Sequence, residues 1–202
     1  MSTKVVLKDV RISFCDTLFV PKEYEAGDGK FRHSSTFLVV PGSANDKAIQ
    51  AAIKAEALAV WGKRAEVMLE SMRGNSNKYC YTKGDLKADK YDGYEGMLVL
   101  ASHRRAKDGA PGVFSQYPGP DGKAARLTEK DGKPYAGCYV NAVVEIYAQE
   151  GTNAGIRSGL VSVQFWRDGD AFSAGSVANP DDFETLAPSE GGFDDEEGGS
   201  LV

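Results

Sequence analysis

Hydrophobic and polar residues alternate in several short runs of this chain, a spacing typical of β-strands that bury one face. Three runs show this period of two: Val6–Phe14, Cys138–Tyr147 and Gly159–Arg167. Two others, Thr36–Val40 and Met97–Ala101, are continuously apolar, as expected of strands that are buried on both faces. The pattern therefore predicts five main strands and a mainly β fold.

The alternating runs also predict which side chains share the apolar face of each strand. The predicted sets are Val6, Val10, Ile12 and Phe14 in the first run, Cys138, Val140, Ala142, Val144 and Ile146 in the second, and Val161, Val163 and Phe165 in the third. Residues between them belong to the opposite face. Tyr139 and Tyr147 are therefore predicted on the non-core face of their strand.

Six Asp-Gly pairs predict tight turns, because glycine adopts positive φ freely and aspartate caps its own turn. They are Asp28-Gly29, Asp92-Gly93, Asp108-Gly109, Asp121-Gly122, Asp131-Gly132 and Asp168-Gly169. The last pair, together with Asp170, offers carboxylates for a magnesium ion. A hairpin turn after Trp166 explains this segment more simply.

One segment interrupts the strands with helical spacing. Ser43 and Asp46 have the spacing of a capping box, with the shorter carboxylate in place of the usual glutamate. Apolar residues then recur at helical spacing over Ile49–Met72. Gly62 is predicted to break or kink the helix just after Trp61.

Charge is distributed unevenly along the chain. Residues 181–202 carry eight acidic residues and no basic one, and the whole chain has a net charge of −5, so residues 1–180 have a net charge of +3. From Ala178 onward the strands give way to acidic residues, glycine and proline. We therefore expect a folded domain over residues 1–178 and a disordered acidic tail over residues 179–202. Such a tail can occupy a cationic groove of its own domain or dock on a basic partner.

Catalytic or metal-binding chemistry is hard to find in this sequence. The chain has two histidines and three cysteines, and none of the cysteines forms a CxxC pair. Cys15, Cys80 and Cys138 are expected to be core residues. Gly27–Lys30 lacks the spacing of a phosphate-binding loop. We therefore expect a protein without enzymatic activity and without a metal or other cofactor.

Aromatic and basic residues are interleaved in several segments beside the predicted strands. Cations follow the phosphates of a nucleic acid, and exposed rings stack on its bases at about 1–3 kcal/mol each without reading sequence. The combination predicts binding of single-stranded nucleic acid, although any one of these rings can instead pack half-buried in a strand. The candidate binding residues are Lys78, Tyr79, Tyr81, Lys83, His103, Arg104, Arg105, Lys107, Phe114, Tyr117, Lys123, Arg126, Tyr139, Tyr147, Arg157 and Trp166.

The most distinctive motifs are Tyr135–Asn141, which reads YAGCYVN, and the turn Arg167–Gly169. Further motifs are Arg11–Phe14, Leu18–Lys22, Tyr94–Met97, Gly155–Gln164 and Asp181–Phe183. Together, and in this order along the chain, they resemble a family of phage-encoded single-stranded DNA-binding proteins.

This resemblance implies an oligonucleotide/oligosaccharide-binding (OB) fold, a five-stranded barrel with Greek-key connections. It also implies that the protein coats single-stranded DNA during phage DNA replication and recombination. The acidic tail would then contact phage or host replication and recombination proteins. The tail residues assigned to this contact are Asp181, Asp182, Phe193, Asp194, Asp195, Glu196 and Glu197.

Two other functions remain open at this point. A strand-annealing recombination protein would also bind single strands, but it would favour a helix-rich core, whereas this chain is mostly turns and strands. In a virion structural protein the basic-aromatic clusters would be accidental. The absence of an apolar signal segment and of an apolar run of membrane-spanning length predicts a protein of the bacterial host cytoplasm, without a membrane partner and with a homodimer possible.

Overall fold

Nine β-strands and two α-helices are present in the residues that the computed structural model describes, which are 2–23, 27 and 29–172. The strands are β1 (Thr3–Ser13), β2 (Lys22–Glu23), β3 (Phe31–Val39), β4 (Tyr81–Lys83), β5 (Leu98–Arg105), β6 (Gly112–Pro118), β7 (Ala124–Arg126), β8 (Tyr139–Gln149) and β9 (Gly155–Arg167). The helices are α1 (Ala44–Trp61) and α2 (Ala65–Met72), joined by a short 3-10 turn. The predicted acidic tail lies outside the described residues.

Five of the strands close into a barrel in the order β1, β3, β5, β9 and β8, with β8 returning to β1. Neighbouring strands are antiparallel except β5 and β9, which run parallel and meet at the Cα pair His103–Gly159. These are the five main strands predicted from the sequence. A five-stranded Greek-key barrel is the architecture of the OB fold, so the predicted fold class is confirmed.

The remaining strands extend the sheet beyond the barrel. β2 pairs with β3, and β4 pairs with β5. β6 runs parallel to β9, and β7 pairs antiparallel with β6. The β6–β7 hairpin therefore lies beside the second half of β9, where β5 has already left it.

The helical segment begins and breaks where the sequence predicts. The Ser43 side chain accepts a hydrogen bond from the Asp46 backbone N–H at 3.2 Å. The Asp46 carboxylate accepts from the Gly42 N–H at 2.7 Å, so the reciprocal bond reaches one residue earlier than in a standard capping box. α1 ends at Trp61, because Gly62 adopts a φ of +53°. The buried face of α1 packs against β1 and β8.

A β-bulge in β1 changes the face assignment made from the sequence. The register between β1 and β8 shifts between Leu7 and Val10, and Asp9 lies in this bulge with a φ of +50°. The extra residue reverses the alternation, so Leu7 faces the core while Val6 is 50% exposed. Phe14, just past the end of the strand, is 41% exposed. The core positions predicted for Val6 and Phe14 are therefore wrong, whereas those of Val10 and Ile12 are confirmed.

A second bulge lies between β8 and β9. Val143 pairs with Ser162 and Val144 pairs with Leu160, which leaves Val161 as the extra residue. Leu160 is buried in the core, and Val161 is only half-buried. The predicted core role of Val161 is wrong for this reason.

The core face predicted for Cys138–Tyr147 is confirmed, since Cys138, just before β8, and the four predicted core residues in β8 are at most 2% exposed. All three cysteines are free and buried, which also confirms their predicted place in the core. Burial raises the pKa of the Cys80 thiol to about 12 and that of Cys138 to about 11, so neither is a thiolate at neutral pH.

The predicted hairpin at Asp168-Gly169 is wrong. After β9 the chain runs alongside Tyr135–Gly137 instead. The Phe172 N–H donates to the Ala136 carbonyl at 3.0 Å, and Tyr135 donates its hydroxyl proton to the Asp168 carboxylate at 2.9 Å. A Cβ on Gly169 would stand only 2.6 Å from the Gly137 carbonyl oxygen, so this glycine permits close packing of two chain segments. By contrast, Asp121-Gly122 forms the predicted turn between β6 and β7.

Candidate nucleic-acid interface

One group of predicted binding residues, namely His103, Arg105, Tyr147 and Arg157, lies on the outer surface of the barrel, where β5 meets β9. The paired strands β3 and β5 contribute two side chains that lie opposite each other, and so do the paired strands β8 and β9. The parallel contact of β5 with β9 brings these four side chains together. We call this surface the arginine face. It consists of Arg32 opposite Arg105, Tyr147 opposite Arg157, and His103 between them.

Positive charge converges on the two uncharged members of the arginine face. Burial, assisted by the charges of Arg32 and Arg157, lowers the pKa of His103 to about 4, so its imidazole is neutral at pH 7. Burial raises the pKa of the Tyr147 hydroxyl, against the opposing effect of Arg157 and Arg105. Guanidinium groups from both strand pairs therefore act on the same small area.

The consecutive residues Arg104 and Arg105 differ in their hydrogen-bond partners within the protein. Arg104 donates to the backbone carbonyls of Asp108 and Gly109 at 2.6 and 2.8 Å, and it thereby shapes the turn after β5. Arg105 donates from Nε and Nη2 to the two oxygens of the Asp108 carboxylate, at 2.7 and 3.2 Å, yet its side chain stays 66% exposed. Arg104 is therefore a structural residue of the turn, whereas Arg105 presents its charge to solvent. Lys107 is exposed in the same turn.

Arg157 is anchored from the opposite side of the arginine face. Its guanidinium donates to the backbone carbonyls of Asn77 and Asn153, the latter at 3.4 Å. Lys78 follows Asn77 and is exposed, and its carbonyl accepts from the Ile156 N–H at 2.8 Å. Lys78 and Arg157 therefore lie at the same edge of the barrel.

A second group of predicted residues lies around the β6–β7 hairpin. Phe114 pairs with Arg126 across the hairpin and with Gln164 on β9. Tyr117 is 67% exposed and Trp166 is 44% exposed, the latter at the other of the two register shifts between β8 and β9. These residues, the hairpin group, are Phe114, Tyr117, Lys123, Arg126 and Trp166. Within the described part of the chain, no ion pair involves Lys123 or Arg126.

Tyr139 is covered by an arginine that the sequence reading did not select. The Arg167 guanidinium lies 3.4 Å from the centre of the Tyr139 ring. The Asp9 carboxylate holds this guanidinium in place with two bonds of 2.8 and 3.1 Å. One face of the Tyr139 ring is thus occupied by a cation–π contact and is not open to a base.

Tyr79 and Tyr81 are not exposed rings, contrary to the sequence-based prediction. They are 8% and 6% exposed, and Tyr81 donates its hydroxyl proton to the Asp46 carboxylate at 2.9 Å. Tyr81 begins β4 and faces α1, whereas Lys83 at the other end of this strand is exposed. The two rings line a groove of about 1010 Å³ beside α1 and α2, and Lys83 lies at its rim.

Sequence reasoning missed Arg32, Arg167 and the pairing partners of the predicted residues. Arg32 follows directly on the exposed Phe31, an aromatic-basic pair that is a weak signal of the same kind. The contact of Arg167 with Tyr139 depends on the register of β8 against β9, which no local motif encodes. Among the described residues, no cluster of three or more potential metal ligands is present, and none of the helices there is long and apolar enough to cross a membrane.

Comparison with known proteins connects this geometry to a family. The family model described as "Enterobacter phage Enc34, ssDNA-binding protein" matches residues 3–195. The chain belongs to this family. A relative, the protein named p50 of Acyrthosiphon pisum secondary endosymbiont phage 1, is 38% identical over 190 residues, which cover 93% of this chain and 96% of the relative.

Two solved structures share the fold. The single-stranded DNA-binding protein from bacteriophage Enc34 in complex with ssDNA has a TM-score of 0.64 at 20% identity, covering 84% of this chain and 89% of that one. The gp2.5 single-stranded DNA-binding protein encoded by bacteriophage T7 has a TM-score of 0.51 at 11% identity, covering 95% and 98%. At these identities the likeness shows the fold.

We expect Tyr81→Ala to destabilise the protein by about 3–5 kcal/mol, because the ring fills the space between barrel and helices. Tyr81→Phe, which removes only the bond to Asp46, should cost about 1–2 kcal/mol. Urea unfolding measures both, with the exposed Tyr117→Ala as a control expected within about 0.5 kcal/mol of the wild type. Full stability in Tyr81→Ala together with weaker DNA binding would show that the ring belongs to the interface after all.

The lowered pKa of His103 predicts that the stability of the protein depends on pH. The ordinary pKa of histidine is 6.5 and that of folded His103 is about 4, so between these values the unfolded chain binds the proton and the folded chain does not. Stability should therefore fall as the pH is lowered through this window, by about 2 kcal/mol at pH 5 relative to pH 8. Urea unfolding of His103→Gln at both pH values should lack this part of the loss. An identical pH dependence in variant and wild type would contradict the prediction.

Proposed function

We propose that this protein binds single-stranded DNA with little base preference. The observation that carries the proposal is the arginine face, whose Arg32, His103 and Arg105 lie on β3 and β5, the second and third strands of the barrel. In OB folds the face of these two strands, with the loops joining strands 1–2 and 4–5, binds oligonucleotides. Membership of a family described as ssDNA-binding supports the same ligand.

The chemistry of the arginine face suits a single strand. Guanidinium groups bind phosphate oxygens with paired, charge-assisted hydrogen bonds. Arg105 already binds a carboxylate in this way, and the Asp108 oxygens stand where phosphate oxygens would bind. Tyr147 offers a ring beside these cations, and stacking on a ring tolerates every base. Phosphate contacts and stacking together give affinity without reading sequence.

The biological role follows from this binding mode. The protein coats single strands during phage DNA replication or recombination, in the cytoplasm of the bacterial host, and acts by binding rather than by catalysis. The acidic tail modulates binding and recruits replication proteins, with Asp181, Asp182, Phe193, Asp194, Asp195, Glu196 and Glu197 as its contact residues. The tail's charge of −8 against the +3 of residues 1–180 supports this part of the proposal.

A gel-shift titration with labelled oligonucleotides tests the central claim. Single strands of mixed sequence, poly-dT and poly-dA should bind with similar affinity, and duplex of the same length should bind more weakly. Failure of every single strand to bind at low salt would refute the proposed function.

Salt dependence separates phosphate contacts from stacking. With about four phosphates neutralised, log K should fall with log[salt] at a slope near −2.8, from roughly −0.7 per contact. Arg105→Gln should weaken binding and reduce the slope by about 0.7. Arg73→Gln is the matched control, since Arg73 and Glu70 form an exposed ion pair at the same i,i+3 spacing on α2. Equal effects of the two substitutions would indicate that only net charge matters.

Removing the acidic tail should raise affinity for DNA. A tail of charge −8 that is covalently attached to a weakly basic domain competes with phosphate at high effective concentration, and salt screens the competition. Deletion after Pro180 should therefore tighten binding most at low salt, while the melting temperature stays unchanged. A full-length variant whose tail carries Asn and Gln in place of Asp and Glu should behave like the deletion. Unchanged low-salt affinity in both would contradict competition by the tail.

A further inference from the structure

Gly159 occupies an unusual position in the centre of the arginine face. It lies in the middle of β9, with Glu145 as its Cα partner on β8 and His103 as its partner on β5. Its neighbours Ser158 and Leu160 are buried at 0% and 1%, whereas Gly159 itself is partly exposed on the outer surface. A glycine here leaves a gap in the row of side chains that covers the outer face.

Neither backbone conformation nor packing requires glycine at this position. Gly159 is not among the glycines with positive φ. A Cβ would stand 3.6 Å from the Glu145 carbonyl oxygen and 3.9 Å from the Tyr147 ring, which are ordinary contact distances. Gly84 and Gly137 differ, because a Cβ on either would lie within 3 Å of backbone atoms. The nearby bulge does not account for Gly159 either, because the extra residue there is Val161.

Glycine in a strand interior costs about 0.5–1 kcal/mol relative to alanine. Where no bulge or bend explains it, such a glycine marks a place where a ligand approaches the backbone closely. The surroundings indicate which part of a nucleic acid fits. The Tyr147 ring flanks the gap on the β8 side. The neutral imidazole of His103 lies on the other side, on β5, which pairs with β9 at this point. Glu145 lies on the β8 side of the gap, and the guanidinium groups of Arg105 and Arg157 lie around it, so phosphates are expected at the arginines and an uncharged base in the gap.

We propose that Gly159 is the floor of a notch that receives a nucleobase. The base lies over the Gly159 backbone and stacks on Tyr147, while the flanking phosphates bind Arg105 and Arg157. This inference rests on the proposed function, since it names the part of that site that contacts a base. It assigns to the arginine face a steric element in addition to its charges.

Filling the notch tests the proposal without removing any charge. Gly159→Val should weaken binding of a mixed-sequence single strand at least about fivefold by fluorescence anisotropy, and Gly159→Ala should have a smaller effect in the same direction. The salt slope should stay that of the wild type, since every cation remains. The melting temperature should be unchanged or slightly higher, because replacing a strand glycine reduces the entropy of the unfolded chain. Ala55→Val is the control, since it introduces a valine at an exposed position of α1, outside both the arginine face and the hairpin group.

An oligonucleotide of equal length without bases distinguishes a base notch from a general steric effect. Wild type and Gly159→Val should bind this probe equally, because there is no base to exclude. Equal loss on the abasic and the normal strand would overturn the notch, as would wild-type affinity of Gly159→Val for the normal strand. If the valine variant fails to fold, Gly159→Ala and Tyr147→Leu carry the same comparison. Failure of the wild type to bind any single strand refutes the proposed function itself, an outcome distinct from these.

Discussion

The parallel contact between β5 and β9 is the constraint on which the rest of the molecule depends. It closes the barrel through one Cα pair, His103–Gly159, above a buried hydrogen bond between the Ser102 and Ser158 hydroxyls at 2.7 Å. A buried hydroxyl without a partner is costly, so the two serines favour this closure over a slipped one. The same contact brings Arg105, on the paired strands β3 and β5, close to Tyr147 and Arg157 on the paired strands β8 and β9, about fifty positions later in the chain. Without closure, the arginine face would be two separate halves.

The strands of the barrel could be predicted because their cores follow simple periodicity. The run Cys138–Tyr147 shows this best, since all five of its predicted core residues are buried. Two of the errors in face assignment, those of Val6 and Val161, follow from bulges. A bulge is a property of two paired strands, and its extra residue is chosen by the register of the partner. Local alternation in one strand contains no information about that register, so these errors have a physical origin.

Residue types in the sequence predicted which side chains belong to the candidate site, but they did not predict which of these side chains are exposed. Basic and aromatic residues in the sequence include most of the arginine face and the hairpin group. The same criteria also selected Tyr79 and Tyr81, which α1 and α2 cover. They treated Arg104 and Arg105 as equivalent, although one shapes a turn and the other points to solvent. Whether a ring or a guanidinium is available depends on elements distant in sequence, which composition does not reveal.

The carboxylates of the domain explain how binding to a polyanion can stay reversible. Many of its exposed cations already have acidic partners, namely Arg105 with Asp108, Arg167 with Asp9, Lys133 with Asp168, Lys22 with Asp16 and Arg73 with Glu70. A phosphate that binds Arg105 must displace a carboxylate, so the free-energy gain is the difference between two similar bonds rather than a full new one. A protein that binds single-stranded DNA also has to release it. At each such guanidinium, a phosphate of the DNA exchanges with a carboxylate of the protein. Many of these contacts together hold a strand, and each contact can be released separately.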